Sequence, residues 1–352
     1  MKKALSAGLL LVAIAGIGFV VLRPGFPSSE SRVANRDQAA APATSRPSAA
    51  VAASAVRPAK AVTLAWKAPE SPELALLRSR KDLASLHRQV EGTTTAEALY
   101  IKAVIYARCA RRLDEPSRGA PDQALRREKF LAGLPANAVD ISRRLQAYDA
   151  LGADPCGQLD VGEFSETALA HMFAAAADAG DIRAQAWQLA DAIERSWRAA
   201  SQRGPRGYDY GEAELARMRE LLASGDSDVM RSLQGLLSSS LQTGAITLNG
   251  EPVDPHAMHA AFTLLRCDAG AFCGGNAPQL LAHCAHRGRC DANSVHEYIY
   301  HYDHSPSQGL QIDRYREQLA SMLNARDFSR LTITPTRGPP QSTITFGGFE
   351  RP

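Results

Sequence analysis

Apolar and polar residues divide the chain into four stretches. Lys2 and Lys3 precede a largely apolar run from Ala4 to Leu22, which ends at Arg23-Pro24. At about 1.5 Å per helical residue, positions 4–22 span about 29 Å, close to the bilayer hydrocarbon thickness of about 30 Å. The run is long for a cleavable signal, and neither a small-residue cleavage site nor a lipid-accepting cysteine follows closely. Residues 1–22 are therefore expected to form an uncleaved transmembrane anchor rather than a cleaved signal. Residues 23–69 are rich in Ala, Ser and Pro and lack large apolar positions until Leu64 and Trp66. Such a segment cannot bury enough surface to fold, and it reads as a linker reaching about 40 Å.

Periodicity changes at residue 70. Ser71-Pro72-Glu73 is a cap followed by a first-turn proline, and Leu76, Leu83, Leu86 and Val90 recur at helical spacing. The pattern predicts one helix, stopped at Gly92. Thr94 and Glu97 then make a capping-box pattern for a second helix, apolar on two faces and so expected to be central. Further helices are expected near 120–132, 138–151, 166–179, 182–200, 212–224, 228–241, 256–268, 277–287, 295–302 and 311–325. In the last, Ile312, Tyr315, Leu319 and Met322 form the apolar stripe, while Arg314, Arg316 and Glu317 fall elsewhere on its surface. One hairpin signal, Asn249-Gly250, is limited by Pro252 to a small ribbon. The folded body is expected over 70–331, with a repeat-like part at 70–241 and a Cys/His-rich part at 254–331. An extended tail follows over 332–352.

Composition supports helices. Aromatic residues are 6% of a chain that is 45% hydrophobic, and alanine and leucine abound. These residues lose little entropy in a helix, whereas strands favour aromatic and β-branched side chains. A net charge of +3 without a basic run gives no sign of a nucleic-acid partner. The expected fold class is all-α: antiparallel helical hairpins, repeat-like and disulfide-stapled, behind the anchor.

Residues 169–193 and 214–237 share a plan. In each, a small-residue helix ends in glycine (Gly180, Gly225), and aspartate (Asp181, Asp226) caps the helix that returns. This Ala-Gly-Asp turn resembles Sel1-like repeats, relatives of the tetratricopeptide repeat. The offset of 45 residues between Gly180 and Gly225 exceeds the period of that family, and its glycine-rich second loop is missing. The resemblance implies a protein-binding scaffold without chemistry of its own, with an apolar groove exposed in 166–241. The paired cysteines of the C-terminal part are also similar to those of exported helical proteins of proteobacteria, a likeness that implies no activity.

The six cysteines bear on location. Cys267 and Cys273 are six apart, as are Cys284 and Cys290, with glycine between each pair. The simplest pairing is Cys267–Cys273, Cys284–Cys290 and Cys109–Cys156, although six cysteines allow 15 connectivities and crossed ones stay open. Disulfides persist outside the reducing cytosol. Lys2 and Lys3 favour a cytoplasmic N-terminus, while Arg23, Arg32 and Arg36 weaken the charge asymmetry. The cysteines break that tie and place the domain in the periplasm, held by a single-pass anchor at the inner membrane through residues 4–22. CxxC spacing is absent, and no general base is evident beside a cysteine.

Seven of the nine histidines lie between 256 and 304. His256–His259 and His283–His286 sit at i, i+3 on expected helices, where two imidazoles can face one ion. His301 and His304 flank Asp303. These six are candidate metal ligands, yet HExxH is missing. The 154–163 loop lacks alternating calcium ligands, Cys273-Gly274-Gly275 is no phosphate loop, and no Gly-x-Ser-x-Gly elbow occurs. The expected task is a non-catalytic interaction scaffold with a protein partner and no cofactor. The alternative is a metal-binding protein or metal-dependent hydrolase built on the histidines.

Overall fold

The structure is a computed structural model that describes residues 62–65, 68–113, 120–153, 155–157, 159–162, 164–201, 211–242 and 246–333. These hold thirteen α-helices and three short strands. The expected anchor, most of the linker and most of the tail lie outside the described residues. No described helix is long and apolar enough to cross a membrane.

The single helix expected from 71 to 90 is two. α1 (Pro72–Ser79) ends where Arg80 turns left-handed, and α2 (Leu83–Val90) restarts under Asp82, whose carboxylate accepts from Ser85 N. Leu76, expected on the same stripe as Leu83, Leu86 and Val90, is exposed, and Leu74 and Leu77 take the core instead, so the apolar phase changes across the break. α3 (Ala96–Leu113) is capped by Thr95, which accepts from Ala98 N at 3.3 Å. Thr94 is not the cap, and Glu97 reaches away to Arg183 instead. As expected, α3 is central: Tyr100, Ile101, Ala103, Val104 and Ile105 are all buried.

Next come α4 (Ala120–Ala132) and α5 (Ile141–Gly152), then α6 (Glu166–Asp178), α7 (Ile182–Ser201), α8 (Glu212–Leu222) and α9 (Ser227–Gln242). The α6–α7 and α8–α9 hairpins close with one device. Gly180 and Gly225 take positive φ of 100° and 69°, and the following aspartates cap the returning helices. Asp181 accepts from Arg183 N and Ala184 N, and Asp226 from Asp228 N and Val229 N. A side-chain oxygen so placed satisfies N–H groups that a helix start leaves open.

β1 (Ile246–Leu248) and β2 (Glu251–Pro252) make the expected ribbon around Asn249-Gly250. The tail, expected to be merely extended, supplies β3 (Leu331–Ile333), which pairs antiparallel with β1 and gives the order β2-β1-β3. α10 (Pro255–Asp268), α11 (Pro278–Arg287) and α12 (Val295–Tyr298) follow, with a π turn at Ile299–Asp303. α13 spans Pro306–Ala325, five residues earlier than expected. Ser305 caps it and Gln308 returns the bond to Ser305 N, a capping box that the sequence carries as Ser-Pro-x-Gln. Arg316, expected on the surface, is buried and grips Asp268 of α10 with two hydrogen bonds of 2.7 and 2.6 Å.

Burial gathers into two apolar clusters. One contains α1–α3, α6 and the start of α7; the other contains the rest of α7, α8–α13 and the sheet. α7 is common to both, with Ala184 in the first and Ala186 and Ile193 in the second. The end of the expected linker is part of the body. Val62 and Leu64 lie against the second cluster, and Asn324 of α13 accepts from Ala65 N and donates to Thr63 O.

Disulfides join Cys109–Cys156, Cys267–Cys273 and Cys284–Cys290. The first closes 47 residues of chain and pins the base of the α4–α5 excursion. The others close short loops behind α10 and around the end of α11. Chain entropy removed from the unfolded state grows with loop length, giving about 4 kcal/mol for the long loop and about 2 kcal/mol for each short one. Replacing Cys109 and Cys156 by serine should therefore lower the urea midpoint about twice as far as replacing Cys267 and Cys273. Equal shifts would mean that the excursion is not held at its base.

Candidate functional site

The histidine-rich segment does not converge. His283 stacks on Tyr298 with centroids 4.1 Å apart, whereas His286 presents to Phe130 and Tyr148 edge to face at 5.9 and 6.4 Å. The pair expected to share an ion is thus divided between two aromatic groups. His301 lies 4.0 Å from Glu297 and packs near Tyr302. His296 faces the Asp268–Arg316 pair. His256, His259 and His304 are electrostatic neighbours, and the buried Nδ1 of His304 has no hydrogen-bond partner. Among the described residues, no three His, Cys, Asp or Glu side chains come together where they could hold a metal ion.

The concentrated chemistry lies elsewhere, where the two apolar clusters meet. Arg78 of α1 donates from Nε to Asp228 at 2.8 Å and from Nη1 to Glu70 at 2.8 Å, and its Nη2 is 3.5 Å from Asp226. Arg183 of α7 reaches Asp181 at 2.5 Å, Glu97 of α3 at 3.2 Å and Asp226 at 3.8 Å. It also lies over the Tyr100 ring, 5.0 Å from the centroid. Arg231 of α9 reaches Asp228 at 2.8 Å. Arg266 of α10 donates to Gln234 at 2.7 Å, and Gln234 donates to Thr263 at 2.8 Å. Both hairpin-turn aspartates therefore cap their own helices and hold arginines, Asp181 the Arg183 of its own α7 and Asp226 the Arg78 of α1 and Arg183 of α7.

Burial and charge act on these groups together. Burial works to raise the Asp228 carboxyl, but Arg231 and Arg78 outweigh it and hold it down to about 2. Asp226 is pushed up, by burial first and then by the charge of Asp228. Arg266 is brought down to about 9 by burial and by Arg231. Burial, with Asp228 behind it, pushes the Tyr100 hydroxyl up. All these groups act on one another within the fold, which is the arrangement of a structural network. No nucleophile paired with a general base is evident in it.

None of these arginines was a candidate from sequence. The available signal is the turn itself: Gly180-Asp181-Ile182-Arg183 sets an arginine two residues after the cap, and Gly225-Asp226-Ser227-Asp228 sets a second carboxylate there. Which distant arginine answers that carboxylate is a tertiary fact.

A third feature is the α4–α5 hairpin. Five of the eight large apolar side chains exposed among the described residues lie on it: Leu125, Leu131, Val139, Ile141 and Leu151. Phe130 stacks on Tyr148 at 4.2 Å and fixes the two helices together. α5 then docks on the C-terminal end of α11. Arg144 donates to Ala285 O and His286 O, and Arg143 to Cys290 O and Asp291. Gly288 ends α11 with φ of 68°, and an added Cβ there would stand 3.5 Å from the Arg144 guanidinium. A residue other than glycine would be strained by that φ, while its Cβ would meet Arg144 at ordinary contact distance.

Fold and site define a predominantly helical, disulfide-bonded protein with a buried ionic seam. No family model, curated protein or solved structure matches the chain.

His259 is held down to about 4, by burial first and then by Arg266, His256 and His304. Its folded pKa lies below the unfolded value of about 6.5, so only the unfolded chain takes up the proton between those limits. Stability should fall from about pH 6.5 toward pH 4 by on the order of 2–3 kcal/mol through this group, and no further below pH 4. Chemical denaturation across that range should show the slope, and His259→Gln should flatten it. An unchanged slope in the variant would assign the acid sensitivity to other groups.

Proposed function

We propose that the chain is a non-catalytic scaffold that works outside the cytoplasm, held at the inner membrane through residues 4–22, and that it binds a protein partner through the α4–α5 arm. The observation that carries this reading is the concentration of exposed apolar side chains on that arm. Monomeric proteins scatter such residues singly, and their enrichment on one element marks an interaction surface. The arm is built to be presented: a disulfide closes its base and Arg143 and Arg144 clamp its second helix. The 166–241 hairpins, where the repeat resemblance would put the groove, expose no large apolar side chain among the described residues. In this reading they form a repeat-like array that supports the arm. Three disulfides favour an oxidising compartment.

A photo-crosslinking residue at Val139, which is 67% exposed, tests the arm directly in intact cells. A discrete protein adduct should form, and Ile141→Glu should weaken it at least tenfold while leaving the melting temperature within about 2 °C, since exposed substitutions cost little. Absence of any adduct at Val139, Leu125 and Leu131 would sink the arm as a binding surface. Thiol-reactive mass tagging of the unreduced protein tests the compartment, and six free thiols would overturn it.

A further inference from the structure

The three disulfides differ in their surroundings. Cys109 and Cys156 are buried in the first apolar cluster, and Cys267 and Cys273 lie against the second. Cys284 and Cys290 belong to neither cluster and are half-buried. Their bridge also lies where the α4–α5 arm docks. Arg143 donates to Cys290 O and, at 2.6 Å, to Asp291 Oδ1. Arg144 donates to Ala285 O at 2.9 Å and to His286 O at 3.1 Å. Cys284 Sγ is 3.6 Å from the Arg143 carbonyl oxygen. Every one of these acceptors on the α11 side falls within the loop that the bridge closes or on the residue after it.

The bridge sets how those acceptors stand to one another. Ala285 O and His286 O belong to the last turn of α11, whereas Cys290 and Asp291 come after the left-handed turn at Gly288. Other ties hold the same loop toward α12 and the π turn: Arg289 donates to the Tyr298 hydroxyl, Tyr302 O and Asp303 at 3.0–3.2 Å, and Asn293 N donates to Glu297 at 2.7 Å. The bridge pulls Cys290 back onto α11 against them, so that both arginine forks are filled at once. Without it, the ties to α12 and the π turn draw Cys290 and Asp291 away from Arg143. Arg144 keeps its two carbonyls, and α11 keeps Leu280 and Ala285 in the interior. Opening this bridge therefore loosens the docking of α5 and leaves the fold of the body intact.

We propose that the Cys284–Cys290 bridge is a reducible latch, opened by a dithiol reductant, that controls how firmly the α4–α5 arm is docked on α11. A thiolate of the reductant attacks one sulfur, forms a mixed disulfide and expels the other cysteine as a thiolate, which takes up a proton. The second thiol of the reductant, deprotonated, attacks the reductant's own sulfur in that mixed disulfide. The reductant closes into a disulfide and the remaining cysteine leaves as a thiolate, which is protonated in turn. Two electrons and two protons pass from the dithiol to Cys284 and Cys290. The two cysteines are only six residues apart, so they stay neighbours when reduced and the latch can close again. The latch would regulate the binding surface proposed above, and that consequence rests on the reading of the arm; the docking of α5 does not.

Titration of the full native chain with dithiothreitol, followed by alkylation and mass mapping, tests the first half of the proposal. Cys284 and Cys290 should be the first pair to open; opening of either other bridge before them overturns it. Amide hydrogen exchange on the chain with only this pair reduced and alkylated tests the second half. Exchange across α5 should accelerate at least about tenfold, the effect of losing one hydrogen bond to a charged group, while α3 and α10 stay as they were. Unchanged exchange in α5 overturns the latch. Arg143→Gln with the bridge intact should speed α5 to a similar degree, and opening the bridge in that variant should add little; a full second increment would mean that the bridge does not act through Arg143, and would also overturn it. If the variant does not fold, the partly reduced natural chain decides alone. Exchange is read without any partner, so a missing adduct at Val139 leaves the latch standing, and a failed latch leaves the arm as a binding surface.

Discussion

The architecture depends on a set of buried charges that must be satisfied together. Arg78, Arg183 and Arg231 meet Asp181, Asp226 and Asp228 at the boundary between two apolar clusters. Apolar packing is non-directional, and two clusters of Ala, Leu and Val could slide past one another at modest cost. Charges cannot slide in this way. Removing one partner leaves an uncompensated ion in a poorly hydrated place, which costs about 3–5 kcal/mol. The seam thus fixes how the α1–α3 part registers on α7–α9, even where its net contribution to stability is small. The depressed Asp228 is consistent with a pair whose Coulombic gain exceeds its desolvation.

The same residues link local to tertiary structure. Asp181 and Asp226 begin as ordinary N-caps, answering the open N–H groups of α7 and α9. A cap needs one carboxylate oxygen; the second oxygen of Asp226 remains to face Arg78 of α1 and Arg183 of α7, and that of Asp181 takes Arg183 of its own helix. Glycine before each aspartate reverses the chain tightly enough to bury that oxygen with its helix end. A similar economy operates at Arg144, whose guanidinium takes the carbonyls that the end of α11 leaves open. Helix ends, rather than helix faces, carry much of the specificity of contact here.

This explains what could be read in advance. Caps and cysteine spacing are local, so most helix positions and a disulfide set of the observed kind were legible from Asp254-Pro255, Ser294 and the six-residue cysteine intervals. Leucine periodicity concealed the break at Arg80 because Leu76 falls in phase with Leu83, Leu86 and Val90 by spacing alone, whereas α1 buries Leu74 and Leu77 and leaves Leu76 exposed. Arg316 read as a surface residue because an arginine between Tyr315 and Glu317 looks like a solvated position, and only the facing Asp268 makes its burial tolerable. The histidines misled for the converse reason. Their i, i+3 spacing allows convergence, but Tyr298 takes one ring of the 283–286 pair and Phe130 the other. Spacing on one helix cannot foresee what arrives from α4 and α12.

The α4–α5 arm shows why position in the chain is a poor guide to position in the fold. Its residues leave after α3 and return before α6, yet its main attachment is to α11, more than a hundred residues later. An excursion of this length closes at considerable entropic cost, and the Cys109–Cys156 bridge removes much of that cost by tying its ends in the unfolded chain too. With the base closed, a clamp of two arginines and a stack of Phe130, Tyr148 and His286 suffice to orient the arm without burying its leucines. A helical pair needed only for stability would bury those side chains against the body, since each gains about 1.5–3 kcal/mol on full burial. The arm is instead fastened at its base and on one helix while Leu125, Leu131, Val139 and Ile141 stay in water, and covalent closure is what makes that exposure sustainable.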